Sequence, residues 1–487
     1  HIVDFGVNMA GWIALRPRGT EGDTIRIRFA ERLNPDGTLY TANLRDARSE
    51  DIYICSGREL GEVTWTPSFT YHGFRYAEVS GLPGMGPDDI RAIHVGDPME
   101  MSMDFECSDT ILNRVVLNAL RGIRANYKGM PVDCPQRNER QPWLGDRTSG
   151  ALGESMFFDN HTLYAKWVRD ICEAQREDGC IPDVAPAFWN YYTDNVTWPA
   201  ALPMVCDMLI EQYADTVPAR MAYPHIARWM EHIIAEYSRD GIVTRDRYGD
   251  WCVPPESPEL IHSKDPARKT DGALISTAYT ARCLALLEKF ATMQGLGDDA
   301  ARWRTLREKT SEAFNRRFLT NRPGTSPKPG HPLYPDSIFY GTNTPTANVL
   351  ALAFGLVPDS LRHAVADNLA ARIITEGNTH ITTGVIGTSW LLRTLTANGR
   401  GDLAWTLATN RTYPSWGYMA EKGATTTWEL WNGDTANPAM NSGNHVMLLG
   451  DLLAWVQQDL CGIRNGSQPG RYVFEADWSI PDCEYAS

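Results

Sequence analysis

The spacing of apolar residues changes once along this chain of 487 residues, near Ser108, and that change limits the folds open to it. Before it the period is two. Thr24-Ile-Arg-Ile-Arg-Phe29 alternates polar with apolar, as a half-buried strand does. Val63-Thr-Trp-Thr ahead of Pro67 and Phe74-Arg-Tyr-Ala-Glu-Val79 ahead of Gly81 read as further strands, and Asn34-Pro-Asp-Gly37 as a turn between such runs. Short strands with turns of this kind predict an antiparallel β-sandwich over residues 1–100.

After Ser108 the period is helical. Ser108 and Asp109 can cap a helix running to about Tyr127. Further helices are predicted near 147–158, 161–177, 198–214, 218–238, 271–294, 297–317, 344–355, 359–374, 384–397, 401–410 and 441–458. About twelve helices fit six hairpins closed into an (α/α)6 barrel. An open helical solenoid fits the number equally well, although no fixed-period repeat is visible. Asn321 to Pro335 reads as a long surface loop, and Arg471-Tyr-Val-Phe-Glu-Ala-Asp-Trp478 turns strand-like again. The expected organisation is a β-sandwich over 1–100, an all-α catalytic barrel over 101–463, and over 464–487 the start of a C-terminal β-domain, most of it absent. A chain this long rarely has a single core, which agrees with several domains.

Bulk properties narrow the partners. The formal charge is −14 with no Lys/Arg-rich run, which argues against nucleic acid and anionic membrane surfaces. No stretch approaches the roughly 20 apolar residues that span a bilayer. Ten cysteines, among them Cys55, Cys107, Cys134, Cys172, Cys252 and Cys461, are scattered without a CxxC pair. They read as buried, reduced thiols and not as a zinc site or disulfide scaffold. The chain begins at His1 without a methionine or signal peptide, so it reads as a piece of something longer and its compartment stays open. Oligomeric state leaves no local sequence mark. Sixteen tryptophans suit either core packing or stacking on sugar rings.

Two segments concentrate chemistry. Asp133-Cys-Pro-Gln-Arg-Asn-Glu-Arg-Gln-Pro-Trp-Leu-Gly-Asp146 holds two cations and three carboxylates. Pro135, Pro142 and Gly145 keep it from being one helix, so a loop ahead of a helix near Arg147 presents these groups. A surface ion-pair cluster is the plainer reading of such a loop. The second segment is Gly423-Ala-Thr-Thr-Thr-Trp-Glu-Leu-Trp-Asn-Gly433, followed by Asn444-His445. Here Glu429 lies between Trp428 and Trp431, where desolvation can raise a carboxylate's proton affinity, and an exposed glutamate is the alternative. His445 serves either as a structural histidine or as a ligand contact. Two carboxylates so far apart in sequence suit glycoside hydrolysis, with one as acid and the other as nucleophile or base. GxSxG, HExxH, the phosphate loop and a dinucleotide fingerprint are all missing, which weakens esterase, zinc-protease, kinase and dehydrogenase readings.

DCPQRNERQPWLGD resembles the signature loop of the bacterial α-L-rhamnosidases of glycoside hydrolase family 78, and GATTTWELWNG resembles that family's second catalytic motif. DFGVNMAGW, FTYHGFRYAEVSGLPG, HITTGVIGTSWLL and YPSWGYM extend the resemblance collinearly over nearly the whole chain. It implies an inverting hydrolase with Glu139 as general acid and Glu429 as general base activating water. It also implies sugar contacts at Asp133, Arg137, Trp143, Asp146, Trp198, Trp251 and His445, and an (α/α)6 barrel flanked by β-sandwiches. The implied substrate is a glycoside or polysaccharide carrying terminal α-L-rhamnose. No metal or cofactor is expected, since the reaction needs only water and carboxyl groups. The sequence departs from the usual pattern at Asn138, at Gln141-Pro142, at Arg147, and in a shorter 434–443 segment, all of which bear on pocket shape and aglycone. Other readings are an (α/α)6 enzyme on another sugar, a polysaccharide lyase among them, and a non-catalytic glycan-binding protein.

Overall fold

The computed structural model describes residues 1–58, 64–186, 189, 191–326, 328, 337–437, 441–466, 471–475, 480 and 483–487. Residues 2–94 form a five-stranded antiparallel sheet. Its order across the sheet is Glu50–Ile54, Thr24–Ala30, His72–Ser80, Ile2–Leu15, Ile90–His94. Alternation explains the sheet: Ile25, Ile27 and Phe29 point to one face with Ala77 and Val79 and build a core of their own. Beside it lies a short ribbon, Arg32–Leu33 with Leu39–Tyr40. These are the sheets seen among the described residues before position 100, so a second layer of comparable size is not among them. Of the run beginning at Val63, Val63 itself lies outside the described residues, and Trp65 exchanges backbone hydrogen bonds with Leu15.

The helical region opens with Thr110–Ala125. Asp109 caps it as expected, its carboxylate accepting the amides of Ile111 and Leu112 at 2.9 and 2.8 Å. Ile111, Leu112, Val115, Val116, Ala119 and Ile123 form the buried stripe that docks it. Most predicted helices are found within a few residues of their expected ends, such as Val217–Tyr237, Gly272–Met293 and Gly297–Phe318. The run does not extend as an open solenoid. Leu452–Trp455 packs on Ala151–Phe157, and Trp416–Glu421 on Thr110–Ala125, so its last helices return to its first. No described helix is long and apolar enough to cross a membrane.

Five expectations need correction, the first being that the predicted helix 147–158 is two, Leu144–Thr148 and Ala151–Phe157. The segment 441–446 is not helical; helix resumes only at Leu452–Trp455, after a 3-10 turn at Met447–Leu449. The cause is that Ser442 and Gly443 donate their backbone N–H groups to carboxylates, of Glu429 and Glu31, instead of to a helix ladder. The predicted helix 384–397 is two short ones, Val385–Thr388 and Leu391–Ala397. The loop expected from Asn321 begins later, because Leu319–Arg322 pairs with Ser337–Tyr340; residues 327 and 329–336 lie outside the described residues. Helix Trp416–Glu421, capped by Ser415, was not anticipated, since six residues are too few to show a period. The late strand is Tyr472–Phe474, paired with Ile463–Asn465, and residues 476–479 lie outside the described residues.

Candidate active site

The first charged segment is a loop up to Trp143, after which Leu144–Thr148 forms a single helical turn carrying Asp146, slightly earlier than expected. Asp133 closes the loop on itself. Its backbone amide donates to the carbonyl of Gln141, and its Oδ1 accepts the amide of Gln141 at 2.9 Å. Arg137 projects from the middle of this loop and is 2% exposed. Its Nη1 donates to Oε2 of Glu429 at 2.8 Å and its Nη2 to Oε1 of Glu429 at 3.2 Å. The same Nη2 lies 2.6 Å from Oε2 of Glu139. One buried guanidinium therefore holds both candidate catalytic carboxylates, in charge-assisted bonds of the strong class.

Each carboxylate has further partners. Glu429 accepts the amide of Ser442 at 2.6 Å. Its hydrogen-bond partners thus include a cation and a backbone donor, and Trp431 packs against Trp416. Glu139 accepts from the indole of Trp143 at 2.8 Å and lies 3.1 Å from Nη1 of Arg45. Burial raises the proton affinity of Glu139, as do the charges of Asp133 and Glu429, against the opposing pull of Arg137 and Arg45; the net shift is upward.

A second cluster continues from the first. Asp133 lies 3.6 Å from Nε2 of His445, which is 3.9 Å from Asp146. The amide of Met447 lies 3.2 Å from Nδ1 of His445, which leaves Nε2 to face both carboxylates. Donor atoms of Asp133, Cys134 and His445 lie within 4.8 Å of one another, a spacing that suits a metal. Burial would lower the proton affinity of His445, but the carboxylates of Asp133, Glu429 and Asp146 outweigh it and raise it. Burial would raise the proton affinity of Asp133, but its contacts with His445 and Arg137 outweigh that and lower it. Asp146 accepts from the indole of Trp198 at 3.1 Å, and burial pushes its pKa up to about 7. Gly145 makes this closeness possible, since a Cβ there would fall 2.3 Å from the Trp198 ring.

Aromatic rings form the remaining wall. Trp143 packs on Tyr191, Trp198 on Tyr248 at 4.6 Å between centroids, and Tyr248 on Trp251 at 6.3 Å. All nine residues singled out in the sequence therefore belong to one connected assembly. Trp251 joins it through Tyr248.

The raised pKa of Asp146 carries a signed consequence. Between its ordinary 3.8 and about 7 the folded chain binds more protons at this site than the unfolded one, so stability falls as pH rises through that window. Asp146→Asn removes the charge but keeps an acceptor for Trp198. The melting temperature of the variant relative to wild type is expected to increase from about pH 5 to about pH 8. A difference independent of pH in thermal unfolding contradicts this.

The bacterial α-L-rhamnosidase six-hairpin glycosidase domain model matches residues 100–460, and the bacterial α-L-rhamnosidase concanavalin-like domain model matches residues 1–96. The chain belongs to the bacterial α-L-rhamnosidase family. An α-L-rhamnosidase of Streptomyces avermitilis is 37% identical over 97% of this chain and 43% of its own length. One from Formosa agariphila is 32% identical over 95% of this chain and 48% of its own. In structure, the α-L-rhamnosidase of Dictyoglumus thermophilum superposes with a TM-score of 0.90 at 34% identity, covering 100% of this chain and 52% of that one. The Streptomyces avermitilis α-L-rhamnosidase complexed with L-rhamnose gives 0.86 at 34% identity, over 98% and 44%. The chain spans about half the length of these relatives.

The departures from the family pattern fall at the margins of the assembly. Asn138 is exposed, and Gln141 contributes its backbone to Asp133. Arg147 turns away from the loop into a fully buried network, 2.5 Å from Glu154 and beneath Tyr127 and Tyr164. In the shortened 434–443 segment, residues 438–440 lie outside the described residues. Sequence reasoning missed Ser442, Tyr248, Tyr191 and Arg45 in this rhamnosidase-family site. The run Arg-Tyr-Gly-Asp-Trp at 247–251 was a usable signal for Tyr248, since Trp251 was already singled out. Nothing near Arg45 marks it, because its partner lies 94 positions away.

Proposed function

We propose that this chain carries the catalytic site of an inverting α-L-rhamnosidase, with Glu139 as general acid and Glu429 as the base that activates water. The observation that carries this reading is the Arg137 bridge, which fixes a buried carboxylate, Glu429, and a half-buried one, Glu139, beside an aromatic wall. Glu139 has the raised proton affinity of an acid, and Trp143 and Arg137 aim it. Glu429 is held by Arg137 and the Ser442 amide, so it accepts a proton from water at a fixed position. Trp143, Trp198, Tyr248 and Trp251 suit the methyl group and apolar face of a 6-deoxy sugar, while Asp133, Arg137, Asp146 and His445 suit its hydroxyls. The substrate is then a terminal α-L-rhamnoside on a glycoside or polysaccharide.

Both carboxylates touch the same nitrogen of Arg137, at 2.6 and 3.2 Å, so their nearest oxygens lie within about 6 Å. Retaining enzymes keep these groups about 5–5.5 Å apart and inverting ones about 6.5–9.5 Å. The separation therefore does not select the outcome, and inversion rests on the resemblance of both motifs to the family. The same reading takes the closed helical run of 101–463 as an (α/α)6 barrel, the sheet of 1–100 as one layer of a sandwich, and 464–487 as the start of a further β-domain. The return of the last helices onto the first supports the barrel.

The test is hydrolysis of 4-nitrophenyl α-L-rhamnopyranoside beside a panel of other aryl glycosides. Turnover of the rhamnoside is expected, and no turnover by folded protein refutes the reading. Glu139→Gln is expected to lose about 10³-fold on alkyl rhamnosides, but much less on the nitrophenyl substrate, whose leaving group needs little protonation. Equal small losses on both remove Glu139 from the acid role.

A further inference from the structure

We propose that the sheet domain is part of the active site, its turn at 42–45 bracing the acid and the base against each other, with Arg45 as a positioning residue for Glu139. This rests on the reading of Glu139 as general acid. The turn Ala42–Leu44 ends at Arg45, whose backbone is left-handed at φ 55°, a strained conformation for a non-glycine residue. That conformation lets neighbouring residues point two ways. Arg45 reaches across to Glu139 at 3.1 Å. Asn43, fully buried, donates to Glu31 at 2.8 Å.

Glu31 extends the brace to the base. It lies in the sheet domain, is buried, and also accepts from Asn8 at 2.9 Å and from the amide of Gly443 at 2.8 Å. Gly443 adjoins Ser442, whose amide holds Glu429 at 2.6 Å. One path of hydrogen bonds joined by two short stretches of backbone thus runs from acid to base through the sheet domain: Glu139, Arg45, the turn, Asn43, Glu31, Gly443, Ser442, Glu429. Two more contacts pin the domains at this seam, Arg32 to the carbonyl of Gly433 at 2.6 Å and the amide of Asn8 to Thr425 at 2.8 Å. A domain that served only as a neighbour has no need of a guanidinium on the acid.

The charged groups facing Glu139 are Asp133 and Arg137 from its own loop, Glu429 from across the site, and Arg45 from the sheet domain. Arg45 favours the carboxylate, against burial and the two like charges. A general acid must be protonated to work, so activity falls as pH rises through its pKa. Removing the Arg45 charge therefore moves the alkaline limb of kcat/KM upward. For a pair this exposed the expected shift is about half a pH unit.

The experiment uses the whole chain and compares Arg45→Gln and Arg45→Lys with wild type on methyl and 4-nitrophenyl α-L-rhamnosides. Arg45→Gln is expected to lose about tenfold in kcat on the methyl glycoside and about twofold on the nitrophenyl one, with KM unchanged, because only the proton donor is misplaced. Its alkaline limb should rise, and Arg45→Lys should restore both. Equal losses on the two substrates with an unmoved limb overturn the proposal, as does unchanged kinetics. Wild type inactive on both substrates refutes the rhamnosidase reading instead, so the two failures are told apart before any variant is compared.

Discussion

Glu429→Gln is expected to abolish turnover of methyl and 4-nitrophenyl α-L-rhamnosides alike, with kcat down about 10³-fold or more on both. The argument turns on what an amide lacks. Glu429 accepts from Arg137 and Ser442, and a glutamine oxygen can still take one of those bonds, so the site keeps its shape. A neutral amide, however, does not accept a proton from water, and water activation does not depend on the leaving group. This separates it from Glu139→Gln, whose loss depends on the leaving group. KM should change little, because the proposed sugar contacts lie mostly on Asp133, Arg137, Asp146 and the indoles. Kinetics on the two substrates check this, and a loss confined to the poor leaving group exchanges the two roles.

Arg137→Met is expected to remove activity and to destabilise the fold. Arg137 and Glu429 are each 2% exposed. Deleting one partner of such a pair leaves buried charge uncompensated, typically at about 3–5 kcal/mol. Two glutamates lose their cation at once here, and Glu139, already raised by burial, loses the charge that opposes that rise. Arg137→Lys should not rescue activity, since a point charge on a flexible stem does not span three oxygens as a planar fork does. Adding Glu429→Gln to Arg137→Met should recover part of the lost stability, measured as a double-mutant cycle by thermal unfolding. Full additivity of the two changes contradicts a direct pairing.

What the sequence revealed and concealed follows from how local each signal is. Helix Thr110–Ala125 was legible because its cap and apolar stripe are neighbours in sequence. The loop of Asp133 to Asp146 was legible because its prolines forbid a helix and its charges sit within one turn of chain. Segment 441–446 was misread as helix because Ser442 and Gly443 answer to Glu429 and Glu31, one of them 412 positions away. Arg45 was missed for the same reason. Arg147 looked like a disturbance of the pocket, yet its charge is absorbed by Glu154 seven residues on, in a network that no local pattern announces. That the nine candidate residues belong together was legible through motif resemblance. The meeting of Glu139 and Glu429 at a single guanidinium was not, because it needs both ends of the helical region to meet.

The most direct test of the central claim is proton NMR of the sugar released in the first minutes of methyl α-L-rhamnoside hydrolysis by wild-type protein, before mutarotation. The account predicts that β-L-rhamnose appears first and the α-anomer only later, as water attacks from the Glu429 side. α-L-Rhamnose appearing first makes Glu429 a nucleophile and contradicts the mechanism, and absence of released rhamnose contradicts the function.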